Sequence, residues 1–144
     1  MLPTLNQIGS TQARPTQETK DKLSCLLDYA ATYPEAVVRF HASDMLLYVD
    51  SNAAYLVLPK ARSRLAGYFT LLDKHPATPY NGAIIVECKT IRQVVTSAAE
   101  AETHGVFHNA KLALHIRNLL EGMGHSQPPT AIKTDNSTAV GYAH

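Results

Sequence analysis

Apolar positions change period three times along the chain, and each change marks an element. In "TQETKDKLSCLLDYAATY", Leu23, Leu26, Leu27 and Ala30 recur at helical spacing before Pro34 stops the run. Thr16 stands where an N-cap belongs, so the pattern predicts a helix of about four turns. Residues 1–15 are polar and carry Pro3, Gly9 and Pro15, which reads as a mobile or partner-dependent lead-in. Three extended stretches follow, "MLLYVDS", "RLAGYFTLL" and "GAIIVECKT", separated by turn-rich segments that include the Asn-Gly pair of "DKHPATPYNG". They suit an antiparallel meander. The short apolar piece "IRQVVTS" leads into a long helix from about Ala98 to Glu121, closed by Gly122 and Gly124. After "HSQPPT", the segment "TAIKTD" predicts one more strand, and "NSTAVGYAH" starts as a helix would and then stops. Strands, a long helix and a further strand make an α/β arrangement with a mixed sheet.

Length and composition narrow the class. A chain of 144 residues with 45% hydrophobic and 17% charged content is one domain's worth of globular protein. It has no apolar run near the roughly 20 residues that a membrane span needs. The opening "MLPTLNQIGSTQARPTQETK" lacks the charged start and apolar centre of a secretory signal, so an intracellular site is expected, with Cys25 and Cys88 as reduced, buried thiols. A net charge of +1 gives no global attraction to nucleic acid, so any such binding must come from a local patch.

The candidate chemistry is carboxylate chemistry. Asp50 ends an apolar strand pattern, where a lone acid followed by Ser51 and Asn52 is by default the start of a turn. Two further acidic sites answer it: "SAAEAET" opens the long helix with Glu100 and Glu102, and "KTDNSTA" ends the last strand with Asp135. Acids at two strand ends and a helix first turn, brought to one sheet edge, outline a site of hard oxygen ligands suited to Mg²⁺ or Mn²⁺.

The order "YVDSNAAYL", "RSRLAGYF", "IIVECKTIRQVV", "SAAEAE" and "IKTDNSTA" resembles the ribonuclease H domain of copia-type retrotransposon polyproteins over roughly residues 40–144. Those domains run from an aspartate strand through an Arg-Ser…Gly-Tyr strand and a Lys-rich third strand to a Ser-x-Ala-Glu-Ala-Glu helix and an Asp-Asn strand end. The resemblance implies a ribonuclease H-like mixed sheet of three antiparallel strands, a long helix and a further parallel strand, with an extra N-terminal helix. It divides the chain into residues 1–36, similar to the connection that follows a reverse transcriptase, and residues 37–144, the ribonuclease H-like domain. It also implies two-metal cutting of the RNA strand of an RNA/DNA hybrid, with the reverse transcriptase portion of a polyprotein as partner. Asp50, Glu102 and Asp135 are the matching carboxylates, and Lys60, Arg62, Arg64, Lys89, Arg92 and Asn136 the groups expected to face nucleic acid.

Two glutamates compete for the helix position. On a wheel of 100° per residue, Val106, Phe107, Ala110, Ala113, Leu114 and Leu120 define an apolar face, with Glu102 roughly 50° from its centre and Glu100 roughly 110° away. Glu102 is therefore expected to face the sheet, and Glu100 to be a solvated first-turn acid. The sequence also departs from the family. The fourth carboxylate lies, in that family, well beyond the Asp-Asn strand end, whereas here nine residues follow Asp135 and none is acidic. The expectation is a C-terminally incomplete domain, with a catalytically inactive remnant acting as a binding module as the alternative to a hydrolase. His104 and His108 lie four apart on the helix but have no third ligand in view, and read as a solvated pair.

Overall fold

The computed structural model describes residues 1–75 and 81–135, and the chain divides into two units, Met1–Val37 and Val38–His144. The first unit is a pair of helices. α1 (Leu2–Thr11) occupies the stretch expected to be a mobile or partner-dependent lead-in. Pro3, read there as a turn residue, sits in the first turn, where its missing N–H costs nothing and its fixed φ suits a helix. α2 (Gln17–Thr32) starts at Thr16, whose hydroxyl accepts from the Thr19 N–H while the Thr19 hydroxyl accepts from the Thr16 N–H, a reciprocal capping box. Neither helix has a buried residue; Leu23, Leu27 and Tyr29 are exposed, as is Cys25, which was expected in a core.

The second unit is α/β. β1 (Leu46–Leu58), β2 (Arg62–Leu72) and β3 (Ala83–Thr90) form an antiparallel meander, and β4 (Ala131–Lys133) joins β1 in parallel, giving the order β3-β2-β1-β4. β1 runs seven residues beyond Ser51, because its far end bulges between Ala54 and Leu58 and still pairs with β2. Inside that bulge Leu56 has φ +53°, and its N–H, lost to the ladder, donates to the Ser63 hydroxyl at 3.0 Å. The hairpin turn places Lys60 and Ala61 in the left-handed region, at φ +62° and +50°.

α3 (Ala98–Gly122) lies across one face of this sheet. Ser97 caps it, accepting from the Glu100 N–H at 3.1 Å. Gly124, at φ +93°, lets the chain turn out so that the His125 N–H reaches the Leu120 carbonyl at 2.9 Å; Gly122 stays inside the helix. Leu47, Val49 and Phe69 from the strands meet Ala113, Ile116 and Leu120 from α3, and Leu65, Ile91, Val95 and Ala101 form a second cluster nearer the helix N-terminus. Fully buried, Phe69 alone contributes about 2–3 kcal/mol.

The buried stripe of α3 differs from the expected one. It runs through Glu102, Gly105, Asn109, Ala113, Ile116 and Leu120, while Phe107 and Leu114 are exposed. Asn109 has no exposed surface: its amide donates to the Ser51 hydroxyl at 2.8 Å and to the Ala66 carbonyl at 2.9 Å, tying α3 to β1 and β2. Past the helix, buried Gln127 accepts from the Leu47 N–H at 3.0 Å and donates to the Met45 carbonyl at 2.8 Å, holding the start of β1 just before β4 pairs with it. No helix among the described residues is long and apolar enough to cross a membrane.

Candidate functional site

Strand alternation sets where each acid of β1 and β4 points. Leu47, Val49 and Ser51 are buried beneath α3, so Asp50, which is exposed, lies on the opposite face. In the parallel ladder Asp50 is registered with Lys133, and the two share that face. They line a groove of about 350 Å³ together with Tyr48, Tyr68, Thr70 and Ala131.

Glu102 is on the other side of the strand. It sits in the second turn of α3 and is only 6% exposed, although it is a carboxylate. Its Oε1 accepts the Ala53 N–H at 2.9 Å. Its Oε2 is buried as well, and the polar side chain beside the carboxylate is that of Thr134. Burial pushes its carboxyl above the usual range, the bond from Ala53 opposes that, the charge of Asp135 raises it further, and the Thr134 side chain lowers it. Glu102 and Asp135 are therefore within electrostatic reach of each other, at the point where β4 ends.

Glu100, two residues away, behaves in the opposite sense. It is exposed, and its Oε2 accepts from both the Thr96 N–H at 2.6 Å and the Thr96 hydroxyl at 2.7 Å, which holds its carboxyl below the usual range, with a smaller contribution from His104. Its role is that of a helix-start acid.

The structure thus leaves Glu102 and Asp135 within electrostatic reach of each other and turns Asp50 to the face of β1 away from α3. Among the described residues no group of three or more His, Cys, Asp and Glu side chains could hold a metal ion. The donor chemistry at Glu102 and Asp135 nonetheless fits one hard divalent cation: two carboxylates within electrostatic reach, one of them buried.

The basic residues are divided between the two faces in the same way. Arg62 and Arg64 follow the parity of Tyr68 on β2 and lie on the open face with Asp50. Arg64 is half-buried, and its Nε and Nη2 have no hydrogen-bond partner among the described residues. Lys89 is registered with buried Leu65, on the α3 side, and forms an ion pair with Glu87 at 2.6 Å. Lys60 is in the hairpin turn, Arg92 is exposed just past β3, and Asn136 lies outside the described residues. His108 is not a solvated partner of His104; its Nε2 is buried and faces the same Glu87 oxygen at 3.8 Å.

Sequence reasoning passed over Thr134, which touches Glu102, and Lys133, which neighbours Asp50. Alternation in "TAIKTD" separates the two faces, but only the parallel register assigns them to partners. Comparison with known protein families and with curated proteins returns no match for this chain.

Proposed function

We propose that this chain is a ribonuclease H-like domain of retrotransposon origin that hydrolyses the RNA strand of an RNA/DNA hybrid with Mg²⁺ or Mn²⁺, inside the cell and beside a reverse transcriptase. The single observation that carries the reading is Glu102, a buried carboxylate within electrostatic reach of Asp135, which lies just past the strand that pairs in parallel with the strand of Asp50. The motif order quoted above and the mixed sheet with one parallel strand support it. Glu102 and Asp135 would hold the ion, with Asp50 approaching from across β1. A bound divalent ion of this class lowers the pKa of water and stabilises charge on the leaving 3′ oxygen. The chain's own residues position the carboxylates: Ala53 N–H fixes Glu102, and the β1–β4 ladder fixes Asp50 against the end of β4.

The division of the acids between the two faces of β1 favours a second reading, that of a remnant which keeps the fold without turnover. Cleavage of a labelled hybrid in Mg²⁺ and in Mn²⁺ separates them, run beside Asp50→Asn and Glu102→Gln. Metal-dependent cutting that is lost in both variants supports the hydrolase. A folded wild-type chain that cuts nothing leaves the remnant reading.

A further inference from the structure

The sheet face away from α3 carries a second set of features, of which the carboxylate chemistry uses Asp50 alone. Tyr48 of β1 and Tyr68 of β2 are diagonal neighbours on it, since Tyr48 is registered with Thr70 and Asp50 with Tyr68. Both line the 350 Å³ groove, which is wide enough for a planar base. Ile84 and Val86 of β3 are exposed on the sheet as well. Arg62, Arg64 and Lys133 bring three positive charges to this face against the single acid Asp50. None of the three is in an ion pair among the described residues; Arg62 and Lys133 are exposed, whereas the Nε and Nη2 of Arg64 are buried, so Arg64 adds its charge from beneath the surface.

We propose that this open sheet face binds single-stranded RNA, with bases received on Tyr48 and Tyr68 and phosphates by Arg62, Arg64 and Lys133. Aromatic side chains projecting from a pleated sheet stack on unpaired bases, which a duplex does not offer. Unneutralised Arg and Lys beside them complement a phosphate chain. From Arg62 to Thr70, opposite Tyr48, β2 spans about 26 Å, enough for about four extended nucleotides. Asp50 selects the sugar: an exposed, acceptor-only carboxylate repels phosphates but accepts a hydrogen bond from a 2′-hydroxyl, which DNA lacks. Binding here requires no metal and no cleavage, so it stands apart from the hydrolase reading.

The test uses the full chain in EDTA at low salt, with fluorescence anisotropy of labelled rU8, dT8 and an RNA/DNA hybrid of the same length. The expected result is binding of rU8, about fivefold weaker binding of dT8 from one lost hydrogen bond, and weaker binding of the hybrid. Tyr48→Ala lowers rU8 affinity about tenfold, whereas Tyr48→Phe, which keeps the ring, retains it. Arg62→Gln reduces the salt slope by about 0.7, while Lys111→Gln, removing an exposed charge from α3, leaves the slope unchanged. No binding of rU8 by folded wild-type chain overturns the proposal, as does a Tyr48→Ala variant that binds like wild type. Equal affinity for rU8 and dT8 overturns the assignment to RNA. Hybrid cleavage in Mg²⁺ is measured separately, and its loss or survival bears on the hydrolase reading alone.

Discussion

Replacing Glu102 by Gln isolates the energetics of the buried carboxylate from its chemistry. The amide retains an oxygen for the Ala53 N–H and removes the buried charge together with its repulsion by Asp135. Desolvating a buried polar group costs about 1–3 kcal/mol, and more when it is charged, so in the absence of metal the variant is expected to be at least as stable as wild type at neutral pH. The pH dependence carries the sign. Below the usual carboxylate value of 4.5 the group is protonated in both folded and unfolded chains. As the pH rises through and above 4.5 the unfolded chain gives up its proton first, because folding raises this carboxyl. The folded state holds more protons in that window, and its stability falls with pH until the folded group has also ionised. Glu102→Gln lacks this loss, so the difference in stability between variant and wild type grows upward from about pH 4.5.

Metal reverses the comparison. An ion seated on Glu102 and Asp135 at ten times its dissociation constant stabilises wild type by about 1.4 kcal/mol, which moves the melting temperature by about 5 °C in a chain of this size. The variant, with one ligand neutralised, is expected to show little of that shift. Thermal melts of both proteins at several values between pH 4 and 7, with and without MgCl2 or MnCl2, read all of these quantities. A stability difference that is flat with pH, together with equal metal-induced shifts in the two proteins, would falsify the assignment of Glu102 as a strained ligand.

Three further substitutions test the fold around the site. Gly67→Ala places a Cβ 2.4 Å from Asn109 Oδ1 and 2.9 Å from a Phe69 ring carbon, and should cost about 2–4 kcal/mol by urea unfolding; pairing it with Asn109→Ala should cost less than the sum of the two, and strict additivity would remove the clash as the cause. Ala61→Gly relieves a left-handed alanine in the β1–β2 turn and is expected to raise stability by about 0.5–1 kcal/mol, so a lower unfolding midpoint would count against that geometry. Gln127→Ala leaves the Leu47 N–H and the Met45 carbonyl without their side-chain partners, at a cost of about 2–3 kcal/mol. Faster hydrogen exchange at the Leu47 amide reports the same loss, and unchanged exchange there would mean that this clamp does not hold β1.

What the sequence revealed and what it hid follow from the kind of information each contact uses. Thr16, Ser97 and the strand alternation in "LLYVDS" are local signals, and the elements form where they point. The helix at Leu2–Thr11 was hidden because proline punctuates turns and opens helices alike, and only its position in the first turn distinguishes them. The buried stripe of α3 was misplaced because hydrophobicity was used to find it. Gly105 is there for closeness, its Cα side lying against Asn52 and Ala53, and Asn109 for hydrogen bonds, while Phe107 and Leu114 face out. Glu102 nevertheless falls on the sheet side and Glu100 on the solvent side, since the true stripe passes through Glu102 itself. Cys25 was assigned to a core by residue type, but neither α1 nor α2 has a buried residue to form one.

The division of the site between two sheet faces is the least legible feature, and it decides how the chemistry can be assembled. In one dimension Asp50, Glu102 and Asp135 look alike: acids at the ends of elements that meet. In the folded chain Val49 and Ser51 turn toward α3 and Asp50 away from it, so the helix acid and the first-strand acid are separated by the thickness of β1. Asp135 escapes that constraint because β4 ends at Lys133, two residues earlier, which frees the backbone from the pleat. Its charge reaches Glu102, and its strand lies beside that of Asp50. Under the proposed hydrolase reading, a metal joining the three carboxylates would have to sit at the end of the β1–β4 ladder, past Lys133. Under the two proposals above Asp50 belongs to both the metal site and the RNA face, whereas Tyr48 and Tyr68 belong to the face alone, so Tyr48→Ala is expected to lower RNA binding and leave hybrid cleavage in place.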